Sequence, residues 1–197
     1  MGYYPRKLTP GTLQGDAGGS VDRAFVVDAI STPVVLDVDR VLSDQATSAS
    51  VITTVTAFLA QPDVPRTIEI INTGTAADVP AGDITIVGTD SNNQVITEAL
   101  TFTANLATKV VSTKAFKTIT SIAFPIQDGA AATYDVGIGA GLGLMHVLTD
   151  EQAALVKLFD SAADAGTFTL NADVAKMLYT PAGTPDGAKI LRLIYVA

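Results

Sequence analysis

One histidine, His146, and no cysteine leave few ways to build a nucleophilic site in this chain. A serine or threonine nucleophile needs a base within hydrogen-bond reach, and that base needs an orienting partner. His146 lies in GLMHVLT, apolar at alternate positions, and reads as a structural histidine at a strand edge. The run GIGAGLGL spaces glycines at 137, 139, 141 and 143. A phosphate cradle needs GxGxxG between a parallel strand and a helix, with an acid about 20 residues on. The spacing here is GxGxGxG, which fits a loosely paired strand or a close backbone approach at a subunit contact.

The oxygen-bearing residues offer three further chemistries. Asp37 and Asp39 form a DVD pair, and Asp90, Asn92 and Gln94 alternate in a polar link. Either could give oxygens to calcium, but neither completes a calcium-loop pattern, so turn and surface roles are expected. Glu69 and Glu98 could form the carboxylate pair of a glycosidase. They fall on different expected strands at polar, solvent-facing positions, in a chain with no Trp and only five Tyr. Lys109, Lys114 and Lys117 form the one local basic cluster. Edge lysines deter strand addition, whereas a docking patch would use them to match an acidic partner surface. No residue is assigned to catalysis, to a cofactor or to a metal.

The elements that must carry these residues follow from composition and period. A chain of 197 residues with 48% hydrophobic content can bury about 70% of its unfolded surface. Thr, Val, Ile and Gly dominate over the Glu, Lys and Leu of helical bundles, which favours an all-β class. The net charge of −8 argues against nucleic acid as a direct partner, because phosphate binding is driven by Lys and Arg. No apolar run approaches the ~20 residues of a membrane helix. The first residues also lack the apolar segment of a signal peptide, so a soluble chain is expected.

Residues 1–20 contain Pro5, Pro10 and five glycines without hydrophobic period, and are expected to form an extended arm. Tyr3, Tyr4, Arg6 and Lys7 within it are candidate contacts to a neighbouring subunit. Residues 21–197 are expected to form one antiparallel β-sandwich, jelly-roll-like, with a hairpin-rich core over about 67–196. VVLDV and VITTVTAFLA read as strands around a polar break. In RTIEIIN and DITIVGTD, isoleucines alternate with polar residues, the pattern of half-buried strands. GTDSNNQ then turns the chain into QVITEALTF as a hairpin, and TKVVS and AFKTITSIAF follow as strands. In LTDEQAALVKLFDSA, Thr149 and Gln152 have capping-box spacing. Leu155, Leu158, Phe159 and Ala162 fall at helical positions, so one short helix is expected. From Lys189 to Val196 both faces are apolar, the mark of a strand buried on both sides.

The stretch IEIINTGTAADVPAGDITIVGTDSNNQVITEALTF, then KVVSTKAFKTITSIAF, then YDVGIGAGLGL, resembles virion proteins of tailed phages. The closing TPAGTPDGAKILRLIYV is similar to their final turn and strand, and the likeness spans about Thr67 to Val196. The resemblance implies a decoration or cement protein, or a head-fibre base, that binds and stabilises the phage capsid. The implied partner is the major capsid protein, the implied site the virion head after synthesis in the host cytoplasm, and homo-oligomers are expected. Under this reading Lys109, Lys114 and Lys117 join the arm residues as candidate capsid or subunit contacts. A tail or fibre component with a receptor-binding role is the structural alternative, and a polysaccharide-degrading enzyme the alternative from another class.

Overall fold

The computed structural model describes Leu13–Gln14, Ser20–Val21 and residues 26–196. Most of the expected arm, with Tyr3, Tyr4, Arg6 and Lys7, lies outside them. Sixteen strands follow in chain order: β1 Leu13–Gln14, β2 Ser20–Val21, β3 Val26–Ser31, β4 Asp37–Ala46, β5 Thr53–Val55, β6 Arg66–Asn72, β7 Gly82–Thr89 and β8 Val95–Phe102. Then come β9 Val110–Phe116, β10 Thr118–Phe124, β11 Thr133–Gly143, β12 Ala154–Phe159, β13 Ala162–Ala163, β14 Thr167–Thr169, β15 Leu178–Thr180 and β16 Leu191–Val196. All strand pairs among the described residues are antiparallel.

The expected all-β sandwich is present. One sheet runs β5-β10-β7-β8 and a second β14-β15-β11-β6-β9, with β4 also on β11. Ile84 and Ile86 of β7, Phe102 of β8, and Ile122 and Phe124 of β10 pack in one core with Ile68 and Ile70 of β6 and Tyr134 and Val136 of β11. Phe124 stacks on Tyr134 at 5.2 Å, and Phe102 meets the same ring edge-on at 6.0 Å. A third sheet, β13-β12-β16-β3, closes a second core. There Leu191, Leu193 and Tyr195 of β16 meet Leu142 and Leu144 at the far end of β11, with Phe168 and Tyr179.

The β7–β8 hairpin forms as its turn chemistry dictates. The Asp90 carboxylate accepts the amides of Asn92 (2.8 Å) and Gln94 (2.9 Å), and Asn93 takes φ of 61°, a conformation asparagine tolerates. The strands expected near residue 34 and over 51–60 are displaced. The first begins only at Asp37 and runs through the DQ of the expected break, and the second shortens to β5.

Three expectations are corrected. The short helix is absent: residues 151–153 make a single 3-10 turn, and Ala154–Phe159 is strand β12. Asp150, not Thr149, caps the turn by accepting the Gln152 amide at 2.9 Å. Pairing with β16 supplies the backbone bonds a helix would have used, and Asp160 and Ser161, at φ of 52° and 65°, make the tight turn into β13. Second, β6 is buried on both faces rather than one, so Glu69 is 5% exposed and not solvent-facing. Third, β16 alternates: Leu191, Leu193 and Tyr195 are buried, while Arg192 is exposed and Ile194 and Val196 are half-exposed.

The glycine run is internal packing. β11 pairs with β6 along one edge and with β4 and β15 along the other. A Cβ on Gly137 would meet the Asp37 carbonyl oxygen and Val38 Cα, one on Gly139 the Thr67 hydroxyl, and one on Gly143 the Ala115 methyl. The close approach expected at a subunit contact is made instead by this chain's own residues. Arg66, fully buried at the start of β6, donates through Nη1 to Asp63 Oδ1 and to the Val34 carbonyl, both at 3.0 Å. Asp63 Oδ2 accepts the Val34 amide at 2.8 Å. The pair thus holds both backbone groups of Val34 and fixes the crossing from β3 to β4. Burial lowers the Arg66 pKa from its ordinary value, against the pull of Asp63.

Two outcomes follow for thermal unfolding. Gly137→Ala forces two backbones apart and should cost about 1–3 kcal/mol, read as a melting point lower by several degrees. Asp63→Ala strands a buried guanidinium and should cost about 3–5 kcal/mol, whereas Val95→Ala, at a residue 77% exposed, should leave the melt unchanged.

Candidate functional site

The charged residues singled out in the sequence are engaged inside the chain. Glu98 on β8 accepts the Thr113 amide (2.7 Å) and hydroxyl (2.8 Å) through Oε1 and the Lys114 amide (2.9 Å) through Oε2. It bridges the outer strands of two sheets, since β8 and β9 each end a strand order. Glu69 takes Lys109 Nζ at 2.7 Å. Both carboxylates have structural work, and nothing in their contacts resembles an acid and a nucleophile facing a shared substrate.

The three lysines do not converge. Lys109 is on Glu69, Lys114 Nζ donates to the Thr97 carbonyl at 2.8 Å, and Lys117 Nζ donates to Asn93 Oδ1 at 2.8 Å. Lys114 lies on β9, an edge strand, where a charge discourages strand addition. The oxygen clusters resolve into turns and bulges. Asp90 caps its hairpin. Asp37 sits beside Asp39, whose carboxyl is raised above its ordinary value, chiefly by the Asp37 hydrogen bond. Among the described residues no group of three or more His, Cys, Asp or Glu is placed to hold a metal ion. His146 is exposed, just past β11.

A different place gathers residues that the sequence left apart. A cleft of about 420 Å³ lies between the second core's sheet and the end of the first. Asp28, Ala29, Ile30 and Ser31, four consecutive residues of β3, form one wall. Consecutive lining means that the backbone edge of the strand, not one face, borders the space. Among the described residues β3 has one strand neighbour, β16, so the edge along the cleft carries no ladder. Leu142, Leu144, Leu191 and Leu193, buried members of the second core, form its apolar floor, and Lys117 and Ser91 also line it. Ser91 is held there by its hydroxyl, which donates to the Leu144 carbonyl at 2.6 Å.

An open strand edge over an apolar trough has a defined capability: it can receive an extended polypeptide, with backbone bonds for affinity and alternate side chains for register. Lys117 is the one lysine of the sequence cluster that lines the cleft. Lys109 and Lys114 do not line it. The cleft was not legible beforehand because its walls come from β3, β11 and β16 and from the β7–β8 and β9–β10 connections, all distant in sequence. The only local signal was the spacing of Val26, Asp28 and Ile30, which marks a strand but not its edge position.

The Glu98 bridge is open to test. Glu98→Ala should speed hydrogen exchange at the Thr113 and Lys114 amides and cost about 1 kcal/mol, while exchange at the β7–β8 ladder stays slow. Unchanged exchange at those two amides would show that the bridge does not hold the sheet edges in solution.

Set beside known proteins, the chain matches no family profile, no curated protein and no solved structure, so its role rests on its own residues.

Proposed function

We propose that this chain is a structural protein of a tailed-phage head, of decoration or cement type, that stabilises the shell by binding the major capsid protein. The observation that carries this reading is the cleft along the edge of β3, a site suited to a polypeptide segment. An extended capsid segment would add to β3, set its apolar side chains against Leu144 and Leu193, and meet Lys117 with a carboxylate. The sequence resemblance over about Thr67 to Val196 supports the phage head as the setting. An acidic surface, with net charge −8, keeps free copies soluble before assembly.

The mechanism is burial and bridging. Each contact need be only modest, because many copies binding the assembled shell and not its separated subunits shift the equilibrium toward the shell. The arm, residues 1–20, would reach across to a neighbouring subunit with Tyr3, Tyr4, Arg6 and Lys7.

The test is occupancy on purified heads that lack tails. The full chain should be present on them in many copies, and both Lys117→Glu and deletion of residues 1–20 should lower occupancy at least several-fold while the melting point of the free protein holds. Presence in tails and absence from heads would replace this reading with the tail or fibre role. Turnover of host polysaccharide, lost on changing Glu69 or Glu98, would overturn it in favour of an enzyme.

A further inference from the structure

The outer face of the third sheet has no cover among the described residues, and its chemistry is that of a contact surface. On β16 the side chains opposite the core are Arg192, Ile194 and Val196. The register sets Val196 beside Val26, Ile194 between Asp28 and Val156, and Arg192 between Ile30 and Leu158. Six apolar side chains, Val26, Ile30, Val156, Leu158, Ile194 and Val196, therefore surround one diagonal ion pair, in which Arg192 grips Asp28 through Nε (2.9 Å) and Nη2 (2.6 Å). Val26 is 67% and Ile30 62% exposed. Strands apolar on both faces are normally covered on both, and contiguous exposed apolar surface marks an interaction site.

We propose that this face packs against the same face of a second copy of the chain, in a two-fold dimer. The charge pattern selects that occupant. The chain as a whole is strongly acidic, with 20 Asp and Glu against 12 Lys and Arg, so most of its surface repels a like surface. This face carries one positive and one negative charge and is neutral. Asp28, Ile194, Arg192 and Ile30 occupy the corners of a quadrilateral, with the charges on one diagonal and the isoleucines on the other. A two-fold axis lying in the interface along the Ile30–Ile194 diagonal exchanges the charged corners and leaves the apolar corners in place. Each Asp28 then faces the other copy's Arg192, and isoleucine faces isoleucine. A self-complementary patch of this kind is what a two-fold contact requires.

The size of the face sets the strength. Three strands about 4.8 Å apart and some six residues long at about 3.3 Å per residue give a footprint of only a few hundred Å², against about 800 Å² per partner in a standard stable interface. The dimer is therefore weak and concentration-dependent in free solution. It becomes populated where copies are held close together.

The chain has no cysteine, which makes a crosslink specific. Ile30→Cys, treated with a short bis-maleimide at high protein concentration, should give a crosslinked dimer, and Val95→Cys, at a still more exposed position on β8, should not. Sedimentation velocity of the unmodified chain should show the mean sedimentation coefficient rising with concentration up to about 1 mM. Ile30→Glu should abolish the rise with its melting curve unchanged. Exchanging the charges in the double variant Asp28→Arg, Arg192→Asp should preserve it, while Arg192→Asp alone should remove it. A flat sedimentation coefficient over that range, a rise that persists in Ile30→Glu, or equal crosslinking through Val95→Cys would each overturn the proposal. Asp28 and Ile30 also border the cleft, so head occupancy is judged on Lys117→Glu and the dimer on sedimentation of the unmodified chain, and the two readings fail separately.

Discussion

The structure depends on how closely other backbones can approach β11. That strand is held on one edge by β6 and on the other by β4 and then β15, and its near half lies in one core and its far half in the other. Side chains at 137, 139, 141 and 143 would occupy space already filled by Asp37, Val38, Thr67, Ala115 and Pro65. Glycine in a strand ordinarily weakens it, through backbone entropy and lost packing. Here the loss is offset because neighbours fill each vacated position: the Thr67 hydroxyl accepts the Gly141 amide at 3.2 Å, and the Gly143 amide reaches the Pro65 carbonyl at 2.7 Å. Since both cores share this strand, loosening either one removes a wall of the other.

The same constraint explains what could and could not be read from the sequence. The β7–β8 hairpin was legible because alternation of Ile84 and Ile86 and the turn residues Asp90 and Asn93 are local features whose physics acts over a few residues. The segment around Leu155, Leu158 and Phe159 is ambiguous in sequence because helix and strand both satisfy its apolar spacing, and the partner that decides, β16, lies far along the chain. β6 and β16 exchange their expected roles for the same reason. A polar alternation in RTIEIIN suggests one wet face, yet the glycines of β11 and the Lys109 ammonium admit Thr67 and Glu69 to the interior. A doubly apolar ILRLIYV suggests two dry faces, yet one is left without a cover among the described residues.

The functional surfaces were legible only in fragments. Lys117 could be named from composition, but that it lines a cleft together with β3 depends on the β9–β10 connection, where its amide bonds the Thr89 carbonyl at 2.7 Å. The carboxylates that looked most like chemistry, Glu69 and Glu98, turn out to close a sheet interior and a sheet edge. Glu69 accepts one bond from Lys109, and Glu98 accepts two backbone amides and the Thr113 hydroxyl, so each braces the strands it joins.

Charge then decides where another polypeptide can come close. Several of the cations pair within the chain: Arg66 with Asp63, Lys109 with Glu69, Lys189 with Asp186 and Arg192 with Asp28. Each such pair removes one positive and one negative charge from view, so the surplus of acidic groups is left to dominate the remaining surface. Within a screening distance of about 8 Å in physiological salt, the approach of two acidic surfaces raises the free energy, and wrong contacts are penalised without any dedicated clash. The neutral outer face of the third sheet and the leucine-bearing cleft beside β3 escape that penalty. They adjoin across the same strand, so a partner added to the edge of β3 would extend the very sheet whose outer face is exposed. Occupation of the cleft would thereby enlarge that face and strengthen its contacts, coupling attachment at one surface to association at the other.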